Sequence, residues 1–371
     1  IAAKIWLALS VVIDLGLLCY FKYAYFFMNV VNDLLGTQFA VFDIFSYIGN
    51  GFSESGRFMV DKIILPVGIS FYLFQVMSYT IDVYRGHVQP VKNILDFGFY
   101  VSFFPQLVAG PIVRANEFIP QLYRPFRLSR RLFGLAVFWI LNGLVKKIVL
   151  SDYLAVNLID RVFDNPLLFS GFENLFALFA YSLQVYADFS GYTDIAIGIA
   201  MLMGFYLPQN FDSPYKSASI TEFWRRWHIT LSTWLRDYLY ISLGGNRKGK
   251  IRTYINLMLT MLLGGLWHGA AVRFVLWGAL HGVALAVHKA WMSIIPWAKP
   301  EGKQMNIILR LGGWFFTFNL VCLGWLLFRA EDMQTVHLML YQITHNFNSA
   351  IIPQFVLGYK AVVGLIVLGY A

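Results

Sequence analysis

The chain has 371 residues, 58% of them hydrophobic and only 13% charged, with a formal net charge of +9. A water-soluble globule needs far more surface charge, so the composition excludes a soluble enzyme and describes a polytopic membrane protein. The bases are spread over loops between long apolar runs, where they set topology against anionic lipid headgroups, and nucleic-acid binding is not expected.

A membrane span takes about 20 largely apolar residues, fewer where a broken helix packs inside protein. Spans are expected near 4–28, 62–82, 96–113, 132–150, 172–206, 253–268, 273–292, 306–328 and 351–371. The chain begins at Ile1 and ends in the apolar run VVGLIVLGYA (362–371), so it is expected to be part of a longer protein. Cys19 and Cys322 both lie inside apolar stretches and read as packing residues, not as a disulfide or metal knuckle. Pro66, Pro105 and Pro111 break expected spans. DFSGYTD (188–194) interrupts the run 172–206, which is long enough for two crossings or one crossing with a re-entrant turn. Asp188 and Asp194 read as an ion site or proton relay, or as carboxylates satisfied by Ser190, Tyr192 and Thr193 at that break; the structural role is favoured. Interruptions of this kind point to a single all-α domain over 1–371, a multi-helix bundle around a cavity with re-entrant and interfacial helices.

The block WRRWHITLSTWLRDYLY (224–240) is too basic for a span and too rich in tryptophan for an ordinary soluble helix. Trp224, Trp227, Leu231, Trp234 and Tyr238 recur at helical spacing, and Arg225, His228, Ser232 and Arg236 fall on a neighbouring stripe. One reading is an interfacial anchor and nothing more. The other turns His228 inward to a cavity. Arg225, Arg226, Arg236, Arg247, Lys248, Lys250 and Arg252 crowd one connection, which places residues 225–252 on the cytoplasmic side. The direction of the 132–150 span stays open, because Arg124, Arg127, Arg130 and Arg131 lie before it and Lys146 and Lys147 near its other end.

His268 ends an otherwise apolar run, and Gly264, Gly265 and Gly269 clear space around it. An ionisable group at such depth is costly unless it is satisfied or used. It reads as a histidine bonded to a neighbouring helix or as a general base, since imidazole titrates near neutral pH and can take a proton from a hydroxyl. His281 and His288 are about 10 Å apart along a helix, too far to share one ion, so no metal site is expected. His87, His337 and His345 sit near loops or span ends. No G-x-S-x-G elbow, Walker loop, dinucleotide fingerprint or H-E-x-x-H helix is present.

SFYLFQVMSYTIDVYRG (70–86), FPQLVAGPIVR (104–114), DFSGYTDIAIG (188–198), EFWRRWHITLSTWLRDYLYISLGGNR (222–247), GGLWHGA (264–270) and FRAE (328–331) together resemble the membrane-bound O-acyltransferase family. The likeness is closest to its bacterial branch, which serves alginate O-acetylation and D-alanylation of teichoic acid. It runs from about residue 60 to about residue 335. The resemblance implies a helical bundle enclosing a central tunnel, and transfer of an acyl group from a thioester donor, acetyl-CoA or an acetylated carrier, to a hydroxyl. No bound cofactor is implied. The family's principal histidine falls on His268 and its partner polar position on His228. His268 would then act as general base, while His228 or the Trp227 indole would orient the donor or donate to an oxyanion. Trp224, Arg225, Arg226, Trp227, Ser232, Trp234 and Arg236 form the candidate donor-binding set, the arginines suiting the phosphates of CoA or of an acyl carrier protein's phosphopantetheine. Positive-inside topology explains the arginines equally. Asp188, Asp194 and His281 would be polar positions of the tunnel wall.

The leading expectation is an acetyltransferase of the bacterial inner membrane. It would work toward a secreted exopolysaccharide, alginate or cellulose, with periplasmic or extracellular acetyltransferase partners and membrane lipid around it. A channel or permease for acyl groups, with Asp188 and Asp194 as its relay, is the alternative, and a scaffold that only recruits secreted enzymes is a third. Only the first should depend on His268.

Overall fold

A computed structural model describes residues 2–52, 59–60, 62–294 and 307–370. The expected span ends at 306 and 371 lie outside the described residues. Every regular element among those residues is helical, in keeping with the all-α reading.

The first helix, α1 (Ala2–Leu35), is long and apolar enough to cross a membrane. It loosens into π turns at Cys19–Tyr23, a widening found often at functional segments. The short α2 (Ile44–Phe52) lies outside any expected span and exposes Ile44, Phe45, Ile48 and Phe52. It is tied back to α1 by Tyr20, whose hydroxyl donates to Asp43 at 2.5 Å. Next come α3 (Ile69–Arg85) and α4 (Ile94–Ser102), the latter capped by Asn93, whose side chain accepts from the Leu95 N–H. The expected span 96–113 is a regular helix only as far as Ser102. Pro105 and Pro111 cannot supply the N–H that a continuing helix needs. The irregular chain beyond is buried at Phe103, Gln106, Ile112 and Val113, and protein groups satisfy it. The Ile112 N–H donates to Thr230 Oγ1 at 3.0 Å, and the Tyr100 hydroxyl donates to the Val113 carbonyl at 2.8 Å. Non-helical backbone at membrane depth survives only under that condition.

Two long helices, α5 (Arg130–Asp164) and α6 (Gly171–Leu202), then pack antiparallel. α6 starts on a capping box made by Ser170 and Glu173 and continues unbroken, so the interruption expected at 188–194 does not occur. Its two carboxylates are not helix caps. Asp188 pairs with Lys147 at 2.6 Å, and Asp194 pairs with Lys146 and accepts from Asn142, both at 2.7 Å. These partners all stand on α5, so opposite charges on adjacent helices make a break unnecessary. The two backbones meet at small residues: a Cβ on Gly143 would collide with the Gly191 carbonyl, and one on Gly198 with the Ala136 carbonyl. Gly143→Ala is therefore expected to destabilise the protein by about 1–3 kcal/mol, the usual cost of overpacking, seen as a lower unfolding temperature in detergent. An unchanged midpoint would show that the two helices can part without penalty.

The single helix expected across 224–240 is two pieces, α7 (Ile220–Arg226) and α8 (Ile229–Trp234), with π turns continuing α8 over Leu235–Tyr240. α9 (Lys250–His268) and α10 (Val272–Ile294) form a close hairpin, where a Cβ on Gly265 would strike the Phe274 carbonyl and one on Gly278 the Met261 carbonyl. α11 (Ile307–Arg329) has the length and apolarity of a span, as does α5. α12 (Met333–His345) is capped by Asp332, where bonds from the Thr335 N–H and hydroxyl hold the carboxyl below its usual range. The expected span 351–371 is α13 (Ile352–Gly358) and α14 (Lys360–Tyr370), bent by 95° at Tyr359. Tyr370 docks that end on α6 by donating to the Phe179 carbonyl at 2.9 Å.

Candidate functional site

The break between α7 and α8 is built by a neighbouring stretch of chain. The Asp212 N–H donates to the Arg226 carbonyl at 3.0 Å, and the Ile229 N–H donates to the Asn210 carbonyl at 2.9 Å. Between these two clamps His228 takes φ 43°, a left-handed conformation that costs most residues about 1–2 kcal/mol and is persistent only where the surroundings fix it. The turn aims the buried His228 ring edge-on at Phe189, with ring centres 4.7 Å apart.

One side-chain oxygen settles which imidazole nitrogen carries the proton. Asn210 Oδ1 lies 3.1 Å from the Thr230 backbone nitrogen, 2.8 Å from Thr230 Oγ1 and 3.1 Å from His228 Nδ1. A backbone N–H can only donate, so the Asn210 atom is the carbonyl oxygen. His228 Nδ1 must then carry a hydrogen, and in the neutral ring Nε2 is a bare lone pair. That Nε2 is buried and has no partner among the described residues.

His268 is the last residue of α9, and its ring is half-buried among three aromatics. The centroids of Trp267, Trp277 and Phe328 lie 4.9, 5.0 and 5.2 Å away, all edge-to-face. Gly269 leaves the space that Phe274 occupies. Among the described residues nothing hydrogen-bonds to the His268 ring, so both nitrogens are available.

Both histidines line one cavity of about 600 Å³. Its wall is mostly apolar, with Trp227, Trp267, Trp277, Trp325 and Phe328 around the two imidazoles. Asp188 and Lys147 also line it, and both are nearly half exposed, so that end reaches accessible surface. Apolar walls with a few convergent polar groups are the usual make-up of a small-molecule site.

Of the other candidate residues, Trp227 and Asp188 line this cavity and the rest stand elsewhere. Trp224 packs against Trp277 and His281 with its indole N–H buried and unpartnered. Trp234 stacks on Phe74 at 3.9 Å and donates to the Phe74 carbonyl at 3.0 Å, so the indoles here fill core and the block is no surface anchor. Ser232 donates to the Trp227 carbonyl at 3.1 Å. Arg226 pairs with Glu222 at 3.0 Å and Arg236 with Asp237 at 2.7 Å, while Arg225 is exposed. His281 is fully buried beside Trp277, with both ring nitrogens unpartnered among the described residues, and it is not part of the cavity wall. His288 meets the Thr221 hydroxyl at 2.8 Å.

Asp194 lines a second, smaller cavity of about 110 Å³ with Lys146, Ser190, Thr193 and Asn210. Ser190 Oγ, Thr193 Oγ1 and Asn210 Nδ2 are buried there without protein partners, so a few waters are expected to fill it, at about 30 Å³ each. Asp194→Leu would strand the Lys146 ammonium beside it. A loss of about 3 kcal/mol is expected, the lower end for a broken buried pair because Lys146 is partly exposed. Thermal unfolding of the purified variant checks this, and a Lys146→Met, Asp194→Leu double variant should recover much of the loss.

Lys22, Asn210 and Thr230 were not singled out by the sequence. Lys22 carried one signal, a lone base inside the apolar run 4–28, and it proves to line the large cavity.

Comparison with known proteins gives a match of residues 17–322 to the family model for MBOAT, the membrane-bound O-acyltransferase family. A probable alginate O-acetylase of Pseudomonas aeruginosa is 45% identical over 94% of this chain and 62% of its own length. A peptidoglycan O-acetyltransferase of Helicobacter pylori is 37% identical over 90% of this chain and 63% of its own. A teichoic acid D-alanyltransferase of Bacillus subtilis is 26% identical over 73% of this chain and 70% of its own. The chain thus spans about three fifths of the length of the two acetylation relatives.

Proposed function

Because the chain belongs to the membrane-bound O-acyltransferase family, we propose that it passes an acetyl group from a cytosolic thioester donor to a hydroxyl, for O-acetylation of a secreted polysaccharide of the alginate or cellulose kind. The observation that carries this reading is the meeting of His228 and His268 on one largely apolar cavity. His268, free of protein partners, takes the proton as the acceptor oxygen attacks the thioester carbonyl, and returns it to the departing thiolate. His228 presents a bare Nε2, so in its neutral form it accepts a hydrogen bond from the donor or the acceptor and does not supply one to an oxyanion. Trp227 and its neighbours exclude water from the reacting thioester.

Donor entry from the cytoplasm is supported by Arg247, Lys248, Lys250 and Arg252, which would hold residues 225–252 on that side of a bacterial inner membrane. Acetyl-CoA or an acetylated acyl carrier protein is the donor class. Arg225 is the exposed member of the candidate set for its phosphates, since Arg226 and Arg236 are engaged with carboxylates. Periplasmic or extracellular acetyltransferases would receive the group downstream. The permease reading loses support, because both acids of its relay are paired with lysines, Asp188 with Lys147 and Asp194 with Lys146, and only Asp188 lines the large cavity.

The test is purification of the full-length protein with [acetyl]-labelled CoA or carrier and a polysaccharide fragment, followed by the mass of the acceptor. Label reaching the acceptor supports the proposal; equal labelling after removal of both histidines would refute it.

A further inference from the structure

The two imidazoles leave one requirement of acyl transfer unmet. As the acceptor oxygen forms its bond to the thioester carbon, the carbonyl π electrons move onto oxygen, and that oxyanion needs a donor in a dry site. Neutral His228 offers a lone pair there, and His268 is taken up with the proton. Among the described residues that line the cavity, one further cation has no carboxylate partner, its charge facing only the Trp267 and Tyr23 rings at 5.5 and 5.8 Å.

That group is Lys22. The π turns at Cys19–Tyr23 place it on the cavity wall, from a helix otherwise fit to cross the membrane. Its Nζ donates to Ser70 Oγ at 3.1 Å and to the carbonyl of Trp267, the residue before His268. An ammonium has three hydrogens, and these two bonds leave one for the cavity. Among the described residues no carboxylate forms an ion pair with Lys22. The other cavity lysine, Lys147, is held by Asp152 at 2.8 Å and Asp188 at 2.6 Å. A charged group inside the membrane is expensive unless paired or used. The bond to Trp267 caps the end of α9 and explains part of its presence, but a neutral donor would cap that carbonyl equally well.

We propose that Lys22 is a catalytic residue, its ammonium receiving the oxyanion that develops when the acyl carbonyl is attacked. The inference rests on the acyl-transfer reading above. The C–O bond forms, the carbonyl oxygen takes the electron pair and leans on Nζ, and the hydroxyl proton passes to His268. Collapse then breaks the C–S bond, and the thiolate leaves with that proton. Lys22 keeps all its own protons throughout. Lys22 and the Trp267 carbonyl it holds come from different helices, so the oxyanion site and the base are positioned by one contact.

The test compares Lys22→Gln, which keeps a donor for the Trp267 carbonyl but drops the charge, with Lys22→Arg, which keeps the charge. The full-length protein in detergent is assayed with acetyl-CoA as probe, or with an acetylated carrier if the unaltered protein turns over only that. For Lys22→Gln, kcat is expected to fall by about 10²-fold with KM changed less than about threefold, and Lys22→Arg to retain clearly more activity. Retained kcat in Lys22→Gln, equal loss in both variants, or a loss carried by KM overturns the proposal, the last showing a site for a resident anion of the substrate. If the neutral variant does not fold, Lys22→Cys treated with 2-bromoethylamine restores an ammonium at the same reach. Return of activity on alkylation supports the role and no return opposes it, with the unaltered chain as control for Cys19 and Cys322. Should His268→Ala also leave transfer intact, it is the placement of the reaction in this cavity that fails; should His268→Ala abolish transfer while Lys22→Gln does not, only the oxyanion assignment falls.

Discussion

A His268→Ala chain is expected to insert and fold like its parent and to lose acetyl transfer by about 10³-fold or more, general-base loss compounded by disorder of the attacking hydroxyl. Folding should survive because no group among the described residues depends on that ring for a hydrogen bond. What the truncation removes is contact with Trp267, Trp277 and Phe328, and a half-buried ring of this kind costs on the order of 1 kcal/mol. Acetyl content of the product, measured beside the unfolding temperature and the amount of protein in the membrane, separates the two effects. Transfer persisting at more than a tenth of the parent rate would remove His268 from the mechanism.

Substitution at His228 is expected to cost about 10²–10⁴ in rate, and here the backbone has to be separated from the chemistry. Alanine at φ 43° keeps the left-handed strain and loses the ring's contact with Phe189 and its bond to Asn210, so His228→Ala should be both slow and less stable. His228→Asn is the cleaner change, since asparagine tolerates the left-handed region, and it should melt near the parent temperature while turnover falls. Asn210→Leu provides a second route to the same centre. It leaves His228 in place but frees the ring to adopt either tautomer, and a loss of at least about tenfold is expected, with an altered pH dependence of kcat/KM. Full activity in Asn210→Leu would mean that the bond at 3.1 Å does not govern the histidine.

The helices were legible where physics acts locally. Long apolar runs marked α1, α5 and α11, and the two histidines stood out because an ionisable side chain in such a run is costly wherever the helix goes. The break at His228 was hidden: Trp224, Trp227, Leu231, Trp234 and Tyr238 keep helical spacing straight through it, and a positive φ at a non-glycine residue leaves no trace in composition. Asp188 and Asp194 misled for the opposite reason. Two carboxylates and a glycine in an apolar run look like an interruption, but their partners Lys146, Lys147 and Asn142 lie roughly 40–50 positions earlier on another helix, and Gly191 serves close packing. Asn210 and Thr230 follow no local pattern at all. Their importance arises only when the chain around 210 is clamped against the turn at 228.

The glycine seam between α5 and α6 also limits how the molecule can breathe. Where side chains interdigitate, neighbouring helices can slide by small shear motions, but two main chains touching at Gly143 and Gly191 and again at Ala136 and Gly198 have no such lubricant. With Lys146 and Lys147 bolted across the same seam, that flank behaves as a fixed strut. Widening that lets a bulky thioester in or a product out is then expected from other walls of the cavity, among them residues 65–71 and the loosened turns of α1 that carry Lys22.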